Sequence, residues 1–237
     1  MREAGHVVGG LLTHLSRLIE PGMKTKVLDD EARTYLRRAG AQPAFLGYRG
    51  FPASVCVSVN EEVVHGIPGE RKISEGDLVS IDAGAVIEGF YADAAVTVIV
   101  GSVAPRARKL VEATREALEA GIAQVAEGNR LHDISHAVQR RIEQDGLGIV
   151  REFVGHGIGR ALHEDPPIPN FGVAHTGPRL KEGMVLAIEP MVTLGGAEVE
   201  ILKDGWTAVT KDRSLAAHFE HTVAVTADGP SILTQSD

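Results

Sequence analysis

The sequence predicts a mixed α/β (α+β) protein of two similar halves, in which helices cover an antiparallel sheet. Four amphipathic helical segments occur as two pairs, and each pair is followed by apolar, β-branched segments that are typical of strands. With 237 residues, 43% of them hydrophobic, the chain can bury a full core. We therefore expect one domain over residues 1–237, with halves at about 1–103 and 104–237.

The helices are predicted from apolar residues at helical spacing and from the residues that begin or end them. Proline begins the third helix at Pro105, and glycine follows the second helix at Gly40 and the fourth at Gly146. The predicted helices cover residues 8–19, about 25–39, 105 to near Gly128, and 131 up to Gly146.

An internal repeat supports the division into halves. Glycines 22 and 40 bracket the second helix as glycines 128 and 146 bracket the fourth. The segment ISEGDLVSIDAG, from residue 73, also matches LKEGMVLAIEPM, from residue 180. Chance similarity between amphipathic segments is a sufficient explanation for the helices alone. The strand match is harder to attribute to chance, because both segments place an acidic residue where an apolar one belongs.

Charge and composition exclude several classes of partner. The chain has 24 Lys and Arg against 32 Asp and Glu, and its net charge of −8 argues against DNA or an anionic membrane. It shows neither a signal-peptide pattern nor an apolar stretch long enough to span a bilayer, so we expect a cytoplasmic protein. Its single cysteine, Cys56, can form neither an internal disulfide nor a thiolate metal cluster.

Two aspartates fall within a predicted β-hairpin, LVSIDAGAVIEGFYADAAVTVIVG. A two-residue turn at Glu88 and Gly89 pairs Gly84 with Asp93. Asp82 and Asp93 then lie on one face as diagonal neighbours, with Cβ atoms ~6 to 8 Å apart. Because two buried carboxylates this close repel each other, we expect a cation between them.

Two glutamates also stand in apolar strand segments. Glu189 is the counterpart of Asp82 in the second half, and Glu220 interrupts HFEHTVAVTA. Four carboxylates, with a histidine from VGHGIGRALHE, form a candidate oxygen-rich site for two divalent ions. Manganese, iron(II) or cobalt fit this donor set better than a structural zinc does.

The stretch VGHGIGRALHE contains His156 and His163 among three glycines. The glycines disfavour a helix, and the following EDPPIPNFG disfavours the helix start that a phosphate loop requires. We therefore predict a strand end at which the glycines leave room for a metal and a peptide backbone. We expect the two histidines to have different roles, one as a metal ligand and the other as a substrate contact.

Five blocks carry a resemblance to a known family: CVSVNEEVVHGIP, IDAGAVIEGFYAD, GHGIGRALHE, AIEPMV and DGWTAVTKDRSLAAHFEHTVAV. In order and spacing, over almost the entire chain, they resemble the methionine aminopeptidases of the bacterial-like first type. The resemblance implies the pita-bread fold, with its pseudo-two-fold symmetry. It also implies a monomeric hydrolase that removes the N-terminal methionine from nascent polypeptides, with the ribosome as a candidate place of action.

The resemblance also assigns roles to individual residues. It implies that two metal ions are bound, with Asp93 and Glu220 bridging them, by Asp82, Asp93, His156, Glu189 and Glu220. It places His163 beside the substrate carbonyl and His65 beside the amide that follows the first residue. It implies a methionine pocket lined by Tyr48, Phe51, Cys56, Leu162 and Trp206, with Phe45 as a further candidate.

These roles lead to an expected mechanism. A metal-bridging hydroxide attacks the first peptide carbonyl, because the ions depress the pKa of water. His163 donates a hydrogen bond to that carbonyl, and Glu189 relays the proton. Coordination of the free N-terminal amine to a metal would restrict release to the terminal residue. An apolar pocket loses only ~1 to 3 kcal/mol for a missing methylene, so the preference for methionine is strong but not absolute.

Three alternatives stay open at this point. An X-Pro aminopeptidase or dipeptidase of the same fold usually carries a large additional N-terminal domain. A non-catalytic pita-bread protein that binds peptides or ribosomes would have lost metal ligands. A plain α/β domain with unremarkable surface acids would have to explain four carboxylates in apolar strands.

Overall fold

The four helices occur in two pairs, as the sequence predicts. The computed structural model describes residues 1–235. Gly40 and Gly146, with φ of 68° and 65°, follow the second and fourth helices in the left-handed conformation that favours glycine. The helices are α1 (Arg2–Leu18), α2 (Thr25–Arg38), α3 (Pro105–Ile122) and α4 (Leu131–Glu143), and a 3₁₀ turn spans Tyr48–Gly50.

The strands of the described region form one nine-stranded antiparallel sheet and two three-stranded sheets. The large sheet has the order β1-β4-β5-β14-β9-β7-β8, with β2 also on β4 and β15 also on β14; the small sheets are β13-β10-β6 and β11-β12-β3. The strands are β1 (Gln42–Pro43), β2 (Val55–Val59), β3 (Glu62–Val64), β4 (Leu78–Ile87), β5 (Phe90–Ile99), β6 (Gly148–Ile149), β7 (Gly155–Gly157), β8 (Glu164–Ile168), β9 (Val185–Ile188), β10 (Met191–Thr193), β11 (Val199–Ile201), β12 (Ala208–Thr210), β13 (Ala216–His218), β14 (Glu220–Thr226) and β15 (Gly229–Ile232).

The predicted hairpin is confirmed in its register. Strands β4 and β5 pair Gly84 with Asp93 and leave two residues, Glu88 and Gly89, in the turn. Both turn residues have positive φ, 51° and 74°, as a two-residue hairpin of this type requires. Asp82 and Asp93 consequently lie on the same face of the sheet.

The two halves meet where β5 pairs with β14 in the middle of the large sheet. Strand β4 flanks this pair on one side and β9 flanks it on the other, so Asp82 in β4 and Glu189, which directly follows β9, occupy comparable places. Helix α1 packs against β4 and β5, while α3 contacts β9, β13 and β14. None of the helices in residues 1–235 combines the length and apolar character that crossing a membrane requires.

Each half has its own apolar core. The first contains Leu11 and Leu15 of α1 packed with Ile81, and the second contains Leu110 of α3 packed with Ile188. These side chains are at most 1% exposed. The candidate site residues lie at the seam between the two cores, and packing on both sides holds the backbone of β4, β5, β9 and β14 in place around them.

Candidate metal centre and substrate pocket

A cavity of about 150 Å³ opens at this seam. It is smaller than the pockets of about 300–1,000 Å³ that hold drug-sized ligands, so its size suits a single side chain. The residues assigned to metal or substrate from the sequence all line it, together with Arg49. The lining residues are Phe45, Tyr48, Arg49, Phe51, Cys56, His65, Asp82, Asp93, His156, Leu162, His163, Glu189, Trp206 and Glu220.

Strand pairing brings the five candidate metal ligands to one end of the cavity. Asp82 and Asp93 face the cavity from the central hairpin, and Glu220 begins β14 beside β5. His156 is the middle residue of β7, where it pairs with β9, and Glu189 directly follows β9. Residues that are far apart in the sequence therefore converge through the backbone ladder of a single sheet.

The ligand atoms of three of these residues lie close together. One donor atom each of Asp93, His156 and Glu220 fall within 4.8 Å of one another. His156 Nε2 lies 3.5 Å from Asp93 Oδ2 and 3.7 Å from Glu189 Oε1. Because His156 Nδ1 is 2.9 Å from the carbonyl of Gly157, its Nδ1–H donates there and Nε2 stays free to bind a cation.

The carboxylates of the cluster are destabilised as anions. Burial raises the pKa of Asp82, Glu189 and Glu220 well above the ordinary range, and repulsion from neighbouring carboxylates, Asp93 in every case, raises it further. The pKa of Asp93 is also raised by burial, although His156 and the hydroxyl of Thr222 act against the shift.

A bound cation fits this donor set. In residues 1–235 no lysine or arginine forms an ion pair with the four carboxylates, and the imidazole nitrogens of His156 and His218 lie 3.5 to 3.7 Å from Asp93 and Glu189. Asp82 Oδ1 is buried with no hydrogen-bond partner. Oxygen donors with one imidazole match the preferences of divalent ions such as manganese or iron(II).

The other end of the cavity is apolar. Phe51 and Leu162 are 4% and 2% exposed, and the ring of Phe51 meets Trp206 edge-on with centroids 5.1 Å apart. Asp204 holds the Trp206 loop by accepting a hydrogen bond from the Trp206 amide at 2.8 Å. Burial raises the pKa of the Cys56 thiol, so its sulfur stays protonated and contributes apolar surface.

Two further histidines border the space between the ends. The His163 ring stacks on Tyr48, and its Nδ1 lies 2.9 Å from the Tyr48 hydroxyl. Burial, with a smaller contribution from His156, lowers the pKa of His163 to about 4, so this ring is neutral at pH 7. Burial also lowers the pKa of His65, whose ring meets Phe153 and Trp206 edge-on. His65 has a φ of 60°, a strained backbone conformation for a residue with a side chain.

The expectation about the glycines of VGHGIGRALHE is wrong. A Cβ on Gly155 would lie 2.4 Å from the Ala187 carbonyl oxygen, and one on Gly157 would lie 2.3 Å from that of Asp165. A Cβ on Gly159 would meet the Glu164 carboxylate. These glycines therefore make room for the neighbouring strands and for a side chain of the protein rather than for a metal or a substrate.

Two residues near the cavity were not predicted from the sequence. Arg49 lines the mouth, with its guanidinium 5.3 Å from the centroid of the Tyr48 ring. His218 is 1% exposed, and its Nε2 lies 3.7 Å from Glu189 Oε2. A histidine that ends an otherwise apolar strand was the available signal for His218, whereas a surface arginine gives no such signal.

This fold and this site are those of a metal-dependent hydrolase. The chain belongs to metallopeptidase family M24, whose sequence profile matches residues 1–227. It is 52% identical to methionine aminopeptidase 1 of Bacillus subtilis over 237 residues, which covers 99% of this chain and 95% of the relative.

Solved structures agree with this assignment. The crystal structure of a methionine aminopeptidase from Thermotoga maritima matches with a TM-score of 0.98 and 48% identity, over 100% of this chain and 95% of that one. A prolidase from Pyrococcus furiosus matches with a TM-score of 0.79 and 22% identity, over 100% of this chain and 63% of that one, which shows the shared fold alone. The predicted pita-bread fold and the predicted family resemblance are confirmed.

Proposed function

We propose that this protein is a methionine aminopeptidase, a hydrolase that releases methionine from the N-terminus of peptides. The observation that carries the proposal is the single cavity in which a buried cluster of four carboxylates and a histidine adjoins an apolar pocket sized for one side chain. Its relatives of about 50% identity over the full length, which bear this name, support the same conclusion.

The proposed cofactor is a pair of divalent ions, cobalt, manganese or iron(II). The residues that would hold them are Asp82, Asp93, His156, Glu189 and Glu220. When bound, such ions supply Lewis acidity to the peptide carbonyl and make water a nucleophile at neutral pH. Most of these ligands are carboxylates because several anions are needed to offset the charge of two divalent cations.

The neighbouring side chains position the peptide. If the Tyr48 hydroxyl donates to Nδ1 of His163, Nε2 of His163 carries the hydrogen and can donate it to the substrate carbonyl. We assign to His65, whose ring meets Phe153 and Trp206 edge-on, the binding of the amide after the first residue. Glu189 lines the cavity within the carboxylate cluster, and we assign to it the transfer of a proton from the attacking water to the leaving amine.

The shape of the cavity accounts for the proposed specificity. The side chain of the first residue enters the apolar end, between Phe51, Leu162 and Trp206, with Phe45, Tyr48 and Cys56 completing the wall. Its free amine then lies toward the carboxylates, so that only a terminal residue fits. We propose nascent polypeptides as substrates, at the ribosome in the cytoplasm, for a monomer that folds as one domain over residues 1–237.

Restoring metals to the stripped protein tests the proposal. Protein treated with a chelator should not cleave Met-Ala-Ser, and anaerobic addition of Mn²⁺, Fe²⁺ or Co²⁺, one at a time, should restore release of methionine. An X-Pro peptide should be cleaved far more slowly. Preferred cleavage of the X-Pro peptide would replace the proposal with a prolidase-type activity. Less than one bound metal per chain with Met-Ala-Ser intact would instead indicate a non-catalytic peptide-binding protein.

A further inference from the structure

Buried polar atoms normally have a hydrogen-bond partner, so an unpartnered one calls for a physical reason. In the described part of the chain, the side-chain atoms of this kind include Asp82 Oδ1 and His218 Nε2. Asp82 belongs to the proposed metal site. His218 does not line the cavity, yet its Nε2 lies 3.7 Å from Glu189 Oε2, which is just beyond hydrogen-bond range.

The backbone of His218 is held firmly. The Thr97 hydroxyl donates to the His218 carbonyl at 2.8 Å and accepts from the His218 amide at 2.9 Å. Ser80 Oγ lies 2.8 Å from the same hydroxyl, and His218 pairs with Met191 across β13 and β10. These backbone contacts fix the position of the His218 Cα. The short distance from Nε2 to Glu189 therefore follows from the pairing of the strands.

Glu189 is held in a similar way. Its backbone carbonyl accepts a hydrogen bond at 3.0 Å from Nδ2 of the buried Asn170. Its two carboxylate oxygens face different histidines: Oε1 is 3.7 Å from His156 Nε2, and Oε2 is 3.7 Å from His218 Nε2. One oxygen therefore faces the other candidate ligands, while the second faces a buried nitrogen that has no hydrogen-bond partner among the described residues.

We propose that His218 is a positioning residue for Glu189: when a metal is bound, the Nε2–H of His218 donates to Glu189 Oε2 and holds the carboxylate with Oε1 toward the metal. This inference rests on the proposed metal-dependent function. It assigns the Nε2–H tautomer to His218. Groups that hydrogen-bond to metal ligands in this way orient the ligand, and their removal weakens metal binding without removing a ligand.

Three substitutions separate this role from simple packing. Glutamine places its amide nitrogen the same number of bonds from Cβ as His218 Nε2, so His218→Gln keeps the donor. Asparagine is one bond too short, so His218→Asn removes the donor but stays polar. Methionine has the same length without a donor, so His218→Met keeps most of the volume. His221→Asn is the matched control, because His221 is a neighbouring, largely buried histidine whose Nδ1 bonds Thr234 at 2.8 Å, an interaction that asparagine can keep.

The experiment titrates each metal-free variant with Mn²⁺ and Co²⁺ and measures affinity, stoichiometry and thermal midpoint. His218→Asn and His218→Met should bind about 10- to 100-fold more weakly, while His218→Gln and His221→Asn stay within about threefold of the wild type. The metal-free midpoint of His218→Met should not fall, because a buried nitrogen without a partner has been replaced by an apolar group.

The outcomes are distinguishable. Wild-type affinity in both His218→Asn and His218→Met would overturn the positioning role while leaving the proposed function intact. Unfolding of these two variants without metal would also overturn it, because it would assign His218 to the core alone. A wild-type protein that binds neither cation would contradict the proposed function itself.

Discussion

The two ends of the cavity contribute to stability with opposite sign. At the carboxylate end, Asp93 and Glu220 are each 3% exposed, and burial raises their pKa, so charge there opposes folding of the metal-free protein. At the apolar end, Phe51 and Leu162 are as deeply buried and stabilise the fold by roughly 1.5–3 kcal/mol each. One end is therefore built for a cation and the other for stability and fit, so mutations should separate the two.

The largest effect is expected from Asp93→Asn. The substitution removes a charge but keeps an oxygen that can accept from the Thr222 hydroxyl. Loss of a metal ligand should lower kcat/KM on Met-Ala-Ser about 10³-fold or more, because metal ions supply several kcal/mol of transition-state stabilisation. The metal-free protein should be at least as stable as the wild type, because a buried anion is gone.

Calorimetric thermal midpoints with and without Mn²⁺, together with initial rates, check this prediction. Asp228→Asn, an exposed change in the β14–β15 turn, is the control and should alter neither quantity. A metal-free Asp93→Asn protein far less stable than the wild type would contradict the idea that this end opposes folding.

The next largest effect separates His156, at the carboxylate end, from His65, which borders the space between the two ends. His156→Ala should lower metal affinity and activity together, since Nε2 is a proposed ligand. His65→Ala should lower kcat about 10²-fold with metal affinity unchanged, because His65 is assigned to the substrate amide. Metal titration and steady-state kinetics on both variants distinguish the cases, and equal metal loss in both would refute the role assignment.

The sequence predicted what local chemistry determines. The Glu88-Gly89 turn and the alternation around it specify the register that places Asp82 and Asp93 on one face, and this register is confirmed. Carboxylates in apolar strands marked the candidate ligands without reference to the fold, and the family resemblance supplied their proposed roles.

Interactions across the chain were not predictable in this way. The glycines of VGHGIGRALHE depend on the Ala187 and Asp165 carbonyls, which belong to adjacent strands whose pairing the pattern does not encode. The proposed role of His218 depends on the 3.7 Å distance between its Nε2 and Glu189 Oε2. His218 ends β13, whereas Glu189 lies between β9 and β10. Pairing between strands that are distant in the sequence determines such contacts, and the local pattern of apolar residues does not predict which strands pair.

A smaller effect is expected from pH acting on the metal-free protein. Asp82, Asp93, Glu189 and Glu220 have folded-state pKa values raised above the ordinary 3.8 and 4.5. Their protonated forms are compatible with burial, so this stability is present below about pH 4 and is lost as pH rises through the folded-state values. A tenfold difference in proton affinity between the folded and unfolded chain corresponds to about 1.4 kcal/mol, or about 3 to 6 °C for a protein of this size.

Thermal midpoints between pH 4 and 8 check this expectation. The metal-free midpoint should fall as pH rises across this range, and saturating Mn²⁺ should abolish the fall. Asp212 acts in the opposite direction, because its hydrogen bond from the Gly196 amide lowers its pKa to about 2, so its stabilisation is lost only below about pH 4. A metal-free midpoint that rises from pH 5 to pH 7 would contradict the proposed balance.

The smallest effect on activity is expected at the residue that joins the two ends. Gly84 pairs with Asp93 in the hairpin, yet a Cβ on it would lie 2.7 Å from the Phe45 ring and 2.8 Å from the Ala44 Cβ. Gly84→Ala should therefore shift Phe45 in the pocket wall, raise KM for Met-Ala-Ser about threefold to tenfold and cost about 1–3 kcal/mol of stability, typical of overpacking. Metal affinity should not change, because the ligands keep their backbone register.

Gly69→Ala is the matched control, since the nearest atom to its added Cβ is 3.9 Å away. Lowered metal affinity in Gly84→Ala with an unchanged KM would show that the two ends are coupled through the hairpin backbone, and the separation between them would then fail at this position.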